Sequence, residues 1–184
     1  MASSESAYGF PFSEGLLLPE YLPIDEAHPA TPRDPYGLGK RVVEETAAGF
    51  GRMDGPPTSI STLRFPNVDV GDSPERYAER DYSIEGLKRA HSDPSHVVRS
   101  LSYVHASDAT ALTRRALETD LGGHETFWVV ADDTTSVVPT AEIADEFYPD
   151  AERTHPLTGT ESLISNEKAK RLLDWEPERS WRDF

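Results

Sequence analysis

The dipeptide Asp34-Pro35 constrains the fold of this chain more than any other short stretch. An aspartate caps a helix by accepting a first-turn amide hydrogen, and a proline suits the first helical position, where a missing N–H costs nothing. Behind the pair, Leu38, Val42, Thr46 and Phe50 recur at helical spacing. Gly49, Gly51 and the cluster Asp54-Gly55-Pro56-Pro57 end that run. Ser59-Ile60-Ser61-Thr62-Leu63-Arg64-Phe65 then alternates, is rich in β-branched residues and stops at Pro66-Asn67, so it reads as a strand.

The alternation continues along the chain. Leu101 to His105 predicts a short strand, and Ser107 to Thr119 a helix with Ala109, Leu112, Ala116 and Leu117 on its buried side. Thr126 to Val130 predicts a buried strand, Pro139 to Tyr148 a helix opened by proline, and Ser165 to Leu173 a capped helix. Trp175-Glu176-Pro177 follows as a docking segment for the C-terminus. At the other end, Met1 to Gly9 reads as the close of a strand running into a turn. Phe10 to Pro35 carries six prolines without a period and reads as an extended surface loop, with Asp25, Glu26 and His28 in solvent. Residues 69 to 98 are acidic and turn-rich, with a candidate helix around Glu75 to Ala90. Strands alternating with helices predict an α/β protein with a mainly parallel sheet.

With 184 residues the chain has room for one domain, taken as a single unit with a first part over 1–68 and a mixed remainder over 69–184. A formal charge of −15, from 33 acidic and 18 basic residues, argues against nucleic acid or an anionic membrane as partner. Of the basic residues 14 are Arg and 4 are Lys, and the acids are scattered without forming a tail, a surface suited to a salt-rich cytoplasm. The absence of cysteine excludes disulfides and thiolate metal sites, and no metal ligand set is expected. No stretch of the 184 residues resembles a signal peptide or a membrane span, so a cytoplasmic location is expected.

The candidate chemistry lies in the first helix. Tyr36 and Lys40 are four residues apart and share one helix face. A phenol with a reference pKa of about 10 is a poor base near neutrality, and a cation beside it makes the phenolate accessible. Such a pair arises by chance in about one chain in seven of this composition, so its surroundings must decide. Ser4, at a strand end just before a Tyr8-Gly9 turn, supplies them. A hydroxyl facing a tyrosine and a lysine is an acid-base set for a secondary alcohol: Ser4 binds the oxygen, Tyr36 moves its proton and Lys40 assists Tyr36.

This set resembles the extended short-chain dehydrogenase/reductase family, the NAD-dependent sugar epimerases and dehydratases. The resemblance rests on Ser3-Ser4-x-x-x-Tyr8-Gly9, Pro23-Ile24-Asp25-Glu26, Asp34-Pro35-Tyr36-Gly37-x-x-Lys40, Leu63-Arg64-Phe65-Pro66-Asn67-Val68, Val104-His105-x-x-Asp108 and Lys168-Ala169-x-x-Leu172-Leu173-x-Trp175-x-Pro177, in that order. It implies the second half of a Rossmann-like nucleotide-binding fold with a small C-terminal α/β substrate-binding lobe, and NAD or NADP as cofactor. It also implies that Tyr36 and Lys40 contact the cofactor, with Phe65 and Pro66 beside the nicotinamide. Ser4 and Asn67 would meet a sugar or nucleotide-sugar substrate. His105 and Asp108 read as structural.

Three departures qualify the resemblance. The 184 residues hold no Gly-x-x-Gly-x-x-Gly loop and none of the first strands that carry it, and Met1 stands where relatives continue a strand, so the chain is expected to begin at an internal methionine. Where the dehydratases carry an Asp-Glu pair this chain has Glu5 and Ser6, which disfavours elimination of water. The arginine that many nucleotide-sugar members carry seven residues before Asp108 is Leu101, for which Arg99, read as two positions back on the same strand face, is a candidate substitute. Two readings follow: an NAD(P)-dependent sugar oxidoreductase or epimerase whose 184 residues alone are weakly active or inactive, or a non-catalytic remnant acting through self-association or pairing with an N-terminal chain. In relatives the helix carrying tyrosine and lysine packs at a dimer interface, so a homodimer or higher oligomer is expected.

Overall fold

A computed structural model describes residues 1–10, 17–55, 59–70, 77 and 79–183. Its elements are β1 (Ala2–Ser4), a 3-10 turn (Glu5–Tyr8), β2 (Tyr21–Leu22), α1 (Pro35–Gly51), β3 (Ser59–Phe65), β4 (Asn67–Asp69), α2 (Ile84–Ala90), α3 (Ser95–Leu101) and β5 (Tyr103–His105). Then come α4 (Ala106–Glu118), β6 (Gly123–Trp128), α5 (Thr140–Phe147), β7 (Glu152–Arg153), α6 (Glu167–Leu173) and a last 3-10 turn (Trp181–Asp183). The strands pair in parallel: β1-β3-β6 form one sheet, β4 pairs with β5, and β2 with β7. The α/β expectation therefore holds.

Period-two alternation decides which face of the sheet meets which core. Along β6 and its continuation, Phe127 and Val129 pack with Leu63 and Val104 beneath α4 and α6, while Trp128 and Val130 join a second cluster with Tyr8, Leu22, Ile143 and Leu163. Arg64 lies next to Leu63 in β3, so its side chain enters the second face. There it is 3 % exposed and must find its charge partner inside the protein. Glu44 of α1 is that partner, with two hydrogen bonds of 2.9 and 2.8 Å from the guanidinium. Ser3 of β1 donates to the same carboxylate at 2.6 Å, and Arg41 adds a third cationic contact at 2.7 Å. Arg64 also donates to the Tyr8 hydroxyl, sits 4.7 Å from that ring's centroid, and Tyr8 stacks on Trp128. Burial opposes the Glu44 carboxylate, but the hydrogen bonds and charge of Arg64 prevail and hold it below the usual range.

α1 begins as the sequence predicts. Asp34 accepts from the Gly37 amide at 2.8 Å and Pro35 occupies the first turn. Gly37 is required there, because a Cβ would lie 2.3 Å from the Ser6 carbonyl and 2.6 Å from Pro32. The helix start is thereby pressed against the turn that follows Ser4.

Other expectations are corrected. The 17–35 segment is no surface loop: Leu22 and Ile24 are fully buried, held by β7 and by a bridge to Ile164. Asp25, Glu26 and His28 are not solvated residues. Asp25 accepts from the Tyr21 hydroxyl and the amides of Ala27 and His28, Glu26 accepts from the Trp128 amide, and His28 accepts from Glu20 while packing on Tyr8 and Tyr21. Leu117 is 83 % exposed, since it lies five residues beyond Leu112 and so about 140° around the helix from it. Leu101 ends a helix and does not open a strand; Val97, Val98 and Leu101 are spaced for one buried helical face. β3 does end at Phe65, before Pro66, and a separate strand, β4, starts at Asn67 and pairs with β5. The candidate helix over 75 to 90 falls partly outside the described residues and is observed from Ile84. His105 caps α4 by accepting from Ser107, and Asp108 accepts from Arg179 while its carbonyl takes the Trp175 indole N–H, the expected structural roles.

Glu44→Gln should remove about 3–5 kcal/mol of stability at neutral pH, because Arg64 would remain buried without its counter-charge. With Glu44 held low, its contribution is present above the unfolded carboxyl value of 4.5 and is lost as pH falls through the folded value. Urea unfolding of the two proteins at neutral pH and near pH 3 checks both; a variant as stable as the parent at neutral pH would contradict the assignment.

Candidate functional site

Parallel strands bring their C-terminal ends to one edge of the sheet, and the site lies there. Ser4 ends β1 in register with Phe65, which ends β3. Extended backbone at Ser4 lets its hydroxyl accept from the Ser6 amide at 3.2 Å, turning the chain through the 3-10 turn at that point. Close approach at Gly37 sets Tyr36 above this turn. A cleft of about 680 Å³ results, lined by Ser4, Glu5, Ser6, Asp34, Pro35, Tyr36, Phe65, Pro66, Asn67 and Arg99.

Six of the seven residues singled out from the sequence, Ser4, Tyr36, Phe65, Pro66, Asn67 and Arg99, thus line one cavity. Lys40 does not line it. Its ammonium stands behind Tyr36, 5.5 Å from the ring centroid, and donates to the Ala2 carbonyl at 3.3 Å. Arg99 reaches the cleft from α3, so its placement on a strand face is corrected. The Asn67 amide donates to the carbonyls of Arg99 and Ser102, at 3.3 and 3.5 Å, which ties β4 to the end of α3. A second groove of about 710 Å³ shares Asn67 and Arg99 with the first and runs on past Arg80, Arg89, His91 and His96. It lies in the stretch from which the sequence offered no site. The His91 and His96 rings are perpendicular at 6.3 Å, and burial, followed by the charges of His96 and Arg99, lowers the His91 pKa.

Glu5, read from the sequence only as half of an altered acid pair, is a further residue of the cleft. Its carboxyl is 7 % exposed, and burial pushes its pKa up to about 8 against the opposing pull of Arg99. The available signal was position: an acid directly after Ser4, in a turn packed under α1, has nowhere to go but inward. Among the described residues, no group of three or more His, Asp or Glu is placed to hold a metal ion, and no helix is long and apolar enough to cross a membrane.

No family model matches the chain. A Methanocaldococcus jannaschii protein named "Putative UDP-glucose 4-epimerase" is 48 % identical over 50 residues, which are 27 % of this chain and 16 % of that one. An Agrobacterium tumefaciens short-chain dehydrogenase/reductase superfamily protein with bound NAD superposes with a TM-score of 0.59 at 20 % identity, covering 98 % of this chain and 62 % of that structure. MoeE5 in complex with UDP-glucuronic acid and NAD gives 0.56 at 18 % identity, covering 98 % and 60 %. The fold is thus Rossmann-like, as in these two structures, and the chain spans about three-fifths of their length.

The unfolded chain releases the Glu5 proton near 4.5 and the folded chain near 8, so the folded state is least penalised by this group at low pH and loses stability as pH rises through about 8. Glu5→Gln should therefore gain on the parent by a few kcal/mol, as an order of magnitude, between about pH 5 and 8.5. Thermal melts across that range test it, and parallel pH profiles for the two proteins would contradict it.

Proposed function

We propose that this chain carries the proton-transfer and substrate-binding part of an NAD(P)-dependent oxidoreductase or epimerase acting on a sugar or nucleotide-sugar hydroxyl. The observation that carries the reading is the convergence of Ser4, Tyr36, Asn67 and Arg99 on one cleft, with Lys40 behind Tyr36. Further support comes from NAD and UDP-glucuronic acid in the structures of similar fold.

In this reading Ser4 orients the substrate hydroxyl and Tyr36 takes its proton as the carbinol carbon gives up hydride. Lys40 supplies the positive charge that stabilises negative charge developing on the phenol. A bound NAD(P) would supply the hydride acceptor. The residues present fit its nicotinamide end: Phe65 and Pro66 would offer the ring an apolar wall, and Tyr36 lines the same cleft. They do not provide a phosphate-binding loop, for the 184 residues contain no Gly-x-x-Gly-x-x-Gly stretch. Turnover by these residues alone is accordingly expected to be slight.

Supplying a glycine-rich βαβ unit, fused or in trans, should raise NAD reduction in the presence of UDP-hexoses or free uronates. Tyr36→Phe in that assembly should lower the rate by roughly 10²- to 10⁴-fold. Unchanged turnover in the Tyr36→Phe protein would overturn the assignment.

A second reading, association, is favoured by a separate observation. Leu38, Val42 and Phe50, one stripe of α1, are 57, 57 and 50 % exposed, and β1 is an edge strand of its sheet. Exposed apolar stripes and open edges favour pairing with another chain. Light scattering should give at least a dimer at moderate concentration, and Leu38→Asp with Val42→Asp should shift it to monomer. A parent protein that is strictly monomeric would rule this reading out.

A further inference from the structure

The groove beyond Asn67 has a wall whose parts come from distant stretches of the chain. Tyr77, Tyr82, Ser100, Tyr103 and Thr135 line it, and the loop 133–136 that follows β6 ties these stretches together. Thr135 donates from its hydroxyl to the Ser100 carbonyl at 3.2 Å and from its amide to the Leu101 carbonyl at 3.1 Å. The Ser136 hydroxyl donates to the Tyr82 carbonyl at 2.7 Å, and the Tyr103 hydroxyl donates to the Asp133 carboxylate. Thr134, Thr135 and Ser136 are each at most 2 % exposed, so the carbonyls of this loop must also find donors inside the protein.

The last 3-10 turn supplies those donors. The Trp181 indole N–H donates to the Thr134 carbonyl at 2.9 Å, and the Arg182 guanidinium donates to the same carbonyl at 2.8 Å, to the Ser136 carbonyl and to the Asp133 carboxylate. Ser180 adds a hydroxyl donor to Asp133 at 2.6 Å, and the Trp181 amide donates to the Tyr103 hydroxyl at 3.1 Å. The Trp181 ring also lies 5.9 Å from that of Tyr77. Trp181 and Arg182 are not part of the groove lining; they hold its wall from behind. One guanidinium serving two carbonyls and a carboxylate uses a fixed fork of donors that a lysine does not have.

We propose that Trp181 and Arg182 are positioning residues for the substrate site: by clamping the loop 133–136 they fix the groove wall that holds the part of a nucleotide-sugar lying beyond its sugar ring. Affinity for the ligand then depends on a segment that does not touch it. The clamp deepens the reading of cleft and groove as one substrate site and rests on it.

Two measurements on the 184-residue protein test the clamp, each made well below the melting temperature of every variant, so that loss of folded protein does not enter. In hydrogen exchange without ligand, Arg182→Ala should accelerate the amides of Ala131, Thr135 and Val138, which bond to Tyr103, Leu101 and Ser136, by about tenfold or more, while α1 and β3 keep the parent's rates. In calorimetric titration with UDP-glucuronic acid, Arg182→Ala should weaken binding about tenfold. Arg182→Lys, which keeps the charge and loses the fork, should fall between that variant and the parent. Trp181→Phe, which loses the indole donor and keeps a ring beside Tyr77, should weaken binding by about threefold or more. Unchanged exchange at the three amides, or acceleration spread evenly over the protein, would overturn the clamp whether or not a ligand binds. Parent-like affinity in Arg182→Ala would do the same, as would parent-like affinity in Trp181→Phe if Arg182→Ala does not fold. A parent protein that fails to bind UDP-glucuronic acid, with exchange responding as expected, would overturn the nucleotide-sugar reading and leave the clamp on the groove wall standing.

Discussion

Everything that positions the candidate site depends on one buried ion pair. Arg64 projects from the middle strand of the sheet into an interior where a lone guanidinium would be very costly, and Glu44 of α1 meets it with two hydrogen bonds. Such a pair has a fixed geometry, so it sets the distance and rotation of α1 over β3. Ser3 hydrogen-bonds the same carboxylate and brings β1 into register with both. Glu44 lies one helical turn beyond Lys40 and two beyond Tyr36. A rotation of α1 that displaced these residues from the cleft edge would break the Arg64 contact first.

Around that anchor the cleft forms where short elements end. β1 stops at Ser4 and β3 at Phe65, which are paired, and α1 starts one residue before Tyr36, so strand ends and a helix start meet at one place. β4 and α3 close the open side through Asn67 and Arg99, which hydrogen-bond each other through the Arg99 carbonyl. The polar groups of the cleft are therefore held by backbone geometry at the ends of regular elements, a rigid kind of support for a binding site. The larger groove beyond Asn67 and Arg99 gives a ligand in the cleft room to extend.

Local signals in the sequence carried far because they coincided with tertiary constraints. Asp34-Pro35 announced the start of α1, Ser59 to Phe65 alternated as β3 does, and Ser4, Tyr36, Phe65, Pro66, Asn67 and Arg99 share one cavity. What was not legible depended on long-range partners. His28 and Glu26 look like solvated residues in a proline-rich loop until Tyr8, Tyr21 and the Trp128 amide are brought to them. Arg64 and Glu44 are 20 residues apart, and nothing local tells that the charge of one is buried against the other. Glu5 was read by its position in a motif, yet its consequence comes from burial beneath α1, which spacing does not reveal.

The most direct test of the account is a crystal structure of the protein grown with a UDP-sugar, UDP-glucuronic acid being the first choice. The account predicts the sugar ring in the cleft between Ser4, Tyr36 and Asn67, with an anionic group of the ligand on Arg99 and the remainder extending toward His91 and His96. A ligand bound elsewhere on the protein, for instance in the cavity lined by Glu26, His124 and Lys168 on another part of the surface, would contradict it.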